Sequence, residues 1–106
     1  MMIAMNRFKV HLGHEAEFEG IWERREGRLK GVPGFIEFKL LRGASFNDHT
    51  LFSTHTLWAS RNDFEAWTQS DAFRQAHRSA GNHSHIYLTG PHLECFEVLQ
   101  SETADS

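Results

Sequence analysis

SRNDFEAWTQSDAFRQAHRSAGNHSHIYLTGPH, running from Ser60 to His92, places two short amphipathic helices ahead of a polar, glycine-bearing loop. Ser60 and Asp63 form a Ser-x-x-acid capping pattern, and Phe64 and Trp67, three apart, face one side of the helix that follows. Ser70 restarts the pattern, with Asp71 in a new first turn where a carboxylate suits the positive end of the helix dipole. Phe73, Ala76, His77 and Ala80 then recur at helical spacing, so His77 falls on the apolar stripe. Gly81 is expected to cap this helix, and Asn82 to Pro91 read as a surface loop. An imidazole on such a stripe can aim one nitrogen into a cavity while a carbonyl or carboxylate holds the other. A core histidine satisfied by hydrogen bonds is the ordinary alternative.

Upstream, Ile3 to Val10 alternates, with Ala4, Asn6, Phe8 and Val10 as the inward set. Asn6 is the odd member, an amide among apolar positions, which costs about 1–3 kcal/mol if buried without a partner. A neighbouring backbone group or a ligand would satisfy it. His14 to Lys30 reads as a helix with Phe18, Ile21, Trp22, Arg25 and Leu29 near one face, glutamates early and basic residues late. Gly31, Pro33 and Gly34 stop it. Phe35 to Arg42 is a strand, Asn47-Asp48 is the expected hairpin tip, and Thr50 to Trp58 is the returning strand. His92 to Leu99 is the last strand, in which Leu93, Cys95, Glu97 and Leu99 alternate with His92, Glu94, Phe96 and Val98.

The 106 residues suit one domain, residues 1–100, followed by a polar tail over 101–106. Eleven basic and fourteen acidic residues, interspersed for a net charge of -3, argue against nucleic acid or an anionic membrane surface as partner. The single cysteine, Cys95, excludes an intrachain disulfide and a cysteine-based zinc knuckle. No run reaches membrane-spanning length and Asn6 and Arg7 interrupt any signal-peptide core, so a cytoplasmic protein is expected. Nine Phe, three Trp and eight His against one Tyr mark the chain as rich in aromatic and imidazole groups.

Strand, helix, strand, strand, helices, strand is the split βαβ order of an α+β, ferredoxin-like fold, with a four-stranded antiparallel sheet and helices on one face. Asn6 on that face and the helices carrying Trp67 and His77 are thereby expected to meet at one cavity. The opposite face would leave Ile3, Met5, Leu51, Leu57, Leu93 and Leu99 exposed in a monomer, which predicts a homodimer.

At MNR around Asn6, at HTLWASRNDFEAWTQSDAF and at FRQAH ending on His77, the chain resembles the IsdG-type haem-degrading monooxygenases. These stand in the dimeric α+β barrel superfamily that also holds the antibiotic-biosynthesis monooxygenases. The resemblance spans Ile3 to about Leu99 and implies that the sheet takes part in a dimeric α+β barrel. It also implies that Asn6, Trp67 and His77 are catalytic: Asn6 as distal amide, Trp67 as the indole pressing on the macrocycle, and His77 as the axial iron ligand. Trp22, Phe64 and Phe73 would complete the haem-binding wall. Haem would be substrate as well as cofactor, opened by O2 with release of iron. Electrons would come from an external reductase or small reductant, since the chain has no flavin or nicotinamide fingerprint.

Three other readings use the same residues. A cofactor-independent monooxygenase of an aromatic substrate would keep Asn6 and Trp67 as substrate contacts and His77 as a polar anchor. A non-catalytic haem carrier or sensor would bind without turnover. A metal-binding module could be built on His83-x-His85 with His92 or His14.

Overall fold

The architecture, taken from a computed structural model, is described for residues 1–25, 27–74 and 81–104. Four strands form one sheet: β1 (Met2–His11), β2 (Phe35–Ser45), β3 (His49–Trp58) and β4 (Tyr87–Glu97), in the order β2-β3-β1-β4. All three neighbouring pairs are antiparallel, as the split βαβ order requires. Helix α1 (Glu15–Arg24) follows β1, and helix α2 (Arg61–Thr68) follows β3. Residues 71–74 begin a further helical turn, with Phe73 N–H donating to Ser70 Oγ at 3.2 Å. His77, with Ala76 and Ala80, lies outside the described residues.

The sheet is open. Strands β2 and β4 are its two edges and each pairs on one side only, so the barrel implied by the resemblance is not formed. Closure would require ladder bonds between those edges, and β3 and β1 stand between them.

Helix α1 is shorter than its periodicity suggests. It stops at Arg24, and the chain turns through Gly27 at φ 85° and Gly31 at φ 82°. Only residues without a Cβ adopt that backbone cheaply, so helical spacing of Arg25 and Leu29 does not extend the helix. Ser60 caps α2 as expected: its Oγ accepts from Asp63 N–H at 3.1 Å and donates to Asp63 Oδ2 at 2.9 Å.

The last strand departs most from expectation. Gly81–Ile86 forms a 3₁₀ segment and β4 begins at Tyr87, so most of the expected surface loop is ordered secondary structure. Ile86 is fully buried against Phe8, Val10, Phe18 and Phe52. Bulges where β4 meets Arg7, Lys9 and Val10 break the alternation that would have revealed a strand. Leu93 pairs with Asn6 on the helix side, whereas Phe96, opposite Ile3, takes the outer face assigned to Leu93.

The core is divided. Phe8, Val10, Phe18, Ile21, Phe52 and Ile86 form one buried cluster, and Met2, Ala4, Trp58 and Phe64 form another. Along β1 the two halves meet at a single inward position, Asn6.

Candidate active site: a polar floor between two halves of the core

The gap between the clusters opens as a cleft of about 1650 Å³ on the helix side of the sheet. Its floor is polar: Asn6 from β1 and Thr54 and Thr56 from β3. Thr54 stands directly across from Asn6, and its Oγ1 accepts the Asn6 backbone N–H at 3.3 Å. The carboxamide of Asn6 has no hydrogen-bond partner among the described residues, so the backbone-bonded alternative does not hold for its side chain. A partly buried amide left in that condition is costly unless a ligand or solvent completes it.

The walls are aromatic and their rings brace one another. Trp67 on α2 lies 5.7 Å from Trp58 and 4.7 Å from Phe73, the latter edge-on at 83°. Phe64, one turn before Trp67, packs edge-on against Trp58 at 5.8 Å. Across the cleft, Trp22 of α1 stacks on Phe38 of β2 at 5.7 Å and 22°. Among the described residues that line the cleft, Trp22 Nε1 and Trp58 Nε1 are buried donors without a protein partner. Tyr87 completes this side, 5.7 Å from Phe8.

Both signs of charge line the margin: Arg25, Arg28 and Lys30 with Glu19, Glu23 and Glu37. Of these only Arg25 is drawn inward, with its guanidinium 5.0 Å from the centroid of the Trp22 ring. Burial holds the Arg25 pKa below its ordinary value, and the same cause pushes the Tyr87 phenol above its own, with the Arg25 charge opposing.

Of the six residues expected at the site, the structure brings Asn6, Trp22, Phe64, Trp67 and Phe73 to one cleft; His77 lies outside the described residues. Sequence reasoning missed Thr54, Thr56, Phe38, Tyr87 and Arg25 as lining groups. The threonines read as ordinary strand residues, and only the register opposite Asn6 gives Thr54 its place.

Among the known proteins this chain resembles, the family model for antibiotic biosynthesis monooxygenase matches residues 1–79. A heme-degrading monooxygenase of Shouchella clausii is 33% identical over 98 residues, 92% of this chain and 90% of the relative. A crystal structure of a mutant of MhuD, a heme-degrader from Mycobacterium tuberculosis, carries two manganese protoporphyrin IX per active site. It superposes with a TM-score of 0.78 at 28% identity, covering 98% of this chain and 100% of that one. The cofactor-independent oxygenase SnoaB of Streptomyces nogalater shares the fold, with a TM-score of 0.73 at 22% identity and 94% of each chain covered.

Proposed function

Because the chain belongs to the antibiotic biosynthesis monooxygenase family, we propose that it is a haem-degrading monooxygenase, an enzyme that takes haem as both substrate and cofactor. The observation that carries this reading is the unpartnered Asn6 carboxamide on the floor of an aromatic cleft, in a chain similar to heme-degrading enzymes over nine-tenths of its length.

The cleft suits a flat macrocycle. Its facing walls present Trp67 and Phe64 on one side and Trp22 and Phe38 on the other, surfaces that lie well against a planar π-system. Arg25, half inside the margin, provides a cation for a carboxylate on the macrocycle's rim.

Haem, when bound, supplies the iron that activates O2 and the carbon skeleton that is oxidised, with electrons from an external reductase or small reductant. His77 would hold the iron. Asn6 donates a hydrogen bond from the floor, at a point where no acid or base is needed and a fixed dipole suffices. Thr54 keeps the Asn6 backbone in place beneath it. Trp67 would bear on the macrocycle from the wall, with its indole braced by Trp58 and Phe73. The reaction would open the ring and release iron.

The outer sheet face supports a homodimer. Ile3, Met5, Leu51 and Leu57 share it with Phe96, which is 48% exposed, and with the Arg7–Glu94 ion pair. A second copy of the chain would cover the apolar part of this surface.

The deciding experiment is a haem titration of the purified protein followed by ascorbate in air with catalase present, with His77→Ala in parallel. A Soret band that forms and then decays in the wild type, but not in His77→Ala, is expected. A stable band would make the protein a carrier or sensor, and no band at all would favour metal-free oxygenation of an aromatic substrate.

A further inference from the structure

Outside the cleft, three side chains from distant parts of the chain converge at the start of α1. His14 precedes the helix, Glu17 stands in its first turn, and His85 comes from the 3₁₀ segment before β4. His14 Nδ1 lies 3.2 Å from Glu17 Oε1, and His85 Nε2 lies 2.9 Å from Glu17 Oε2. The ligand atoms of all three lie within 4.8 Å of one another. None of the three lines the cleft.

We propose that His14, Glu17 and His85 bind a divalent first-row cation of the zinc class, which pins the 3₁₀ segment to α1. Two imidazoles and one carboxylate are a donor set that zinc accepts with a fourth position left to water. With bonds of about 2.0–2.1 Å, such an ion holds neighbouring donors roughly 3–3.5 Å apart, so it would draw in a set that now spans up to 4.8 Å, with each imidazole already beside one oxygen of the Glu17 carboxylate. His14 and Glu17 are spaced three apart, which sets both on one side of the first helical turn. The positive end of the helix dipole opposes a cation there, and Glu15 and Glu17 in the first turn offset it. All three side chains are at least partly exposed, so an ion can enter from solvent.

The position gives binding a structural effect. His85 is followed by Ile86, buried in the core, and by Tyr87, which lines the cleft. The 68-residue span between Glu17 and His85 means that a bound ion would close a long loop of chain. Fixing His85 therefore fixes the wall at Tyr87.

Zn2+ alone is the probe, titrated calorimetrically into haem-free protein at neutral pH. One Zn2+ per chain is expected, with affinity falling at least about tenfold in Glu17→Gln and in His85→Gln and unchanged in His77→Ala and His83→Gln. Backbone hydrogen exchange over residues 84–90 should slow on adding Zn2+ in the wild type and not in Glu17→Gln. Circular dichroism checks that each variant is folded. Absence of binding, or binding lost with His77 or His83 but kept without Glu17, would leave the three groups as a hydrogen-bonded cluster and overturn the site. Binding without slower exchange would overturn the clamp. Neither result bears on haem degradation, which the Soret assay reads separately.

Discussion

Asn6 stands on β1 between Ala4 and Phe8, which belong to different halves of the core, and its carboxamide meets no protein partner among the described residues. A partly buried amide that bonds to no protein group adds little to stability, so its removal should cost little. Asn6→Ala is therefore expected to unfold in urea at close to the wild-type midpoint. It should still bind haem, yet degrade it about 10²-fold more slowly, the usual cost of losing one fixed donor. Tyr87 gives a pH test. Burial raises its phenol pKa in the folded state, so its contribution is complete below the unfolded value of about 10 and is lost as pH rises through the folded value. Urea midpoints measured from about pH 9 to 11 should fall in the wild type and fall less in Tyr87→Phe. Asn6 was legible in the sequence because an amide in an apolar alternation is conspicuous. Glu17 was not, because its partner His85 lies far along the chain and only the fold brings them together.

The elements were legible where one local rule governs them. Alternation gave β1 and β3, the Ser60 capping pattern gave the start of α2, and Asn47-Asp48 lies at the tip of the β2–β3 hairpin. Reading failed where two rules compete. Helical spacing ran on past Arg24 into glycines with positive φ, and β4 lost its alternation to bulges. Gly34 shows how tightly elements are joined. At φ 80° it leads into β2, its carbonyl accepts Ala59 N–H at 2.8 Å, and a Cβ there would collide with the Asp63 carboxylate of the α2 cap. Gly34→Ala should thus combine backbone strain with disruption of the cap and cost about 2 kcal/mol or more. Ser60→Ala, which removes the cap alone, should cost about 1 kcal/mol. Denaturant titration of both variants checks the order.

For the whole molecule, the sheet order makes β1 and β3 central, and among the described residues both α1 and α2 pack on the inner face. The apolar character of the outer face was readable in the sequence, but which members of β4 join it was not. Alternation separates two sets without saying which is inside, and the register against β1 chose Phe96 over Leu93. Leu57 sits on this face between Ile3 and Glu37. If a second copy of the chain covers it, Leu57→Lys should yield a monomer by light scattering while circular dichroism stays unchanged. Among the described residues no helix is long and apolar enough to cross a membrane.

Pro91 lies within β4, an edge strand of the sheet. Proline offers no N–H to an incoming strand, and on β2, the opposite edge, Glu37 and Lys39 put charge where a neighbour would dock. Both rims are thus poor templates for strand-by-strand growth, so concentrated protein has little route to fibrillar polymer even though its sheet is open. Were two copies to associate, a finite face-to-face pair would suit these rims better than growth along them.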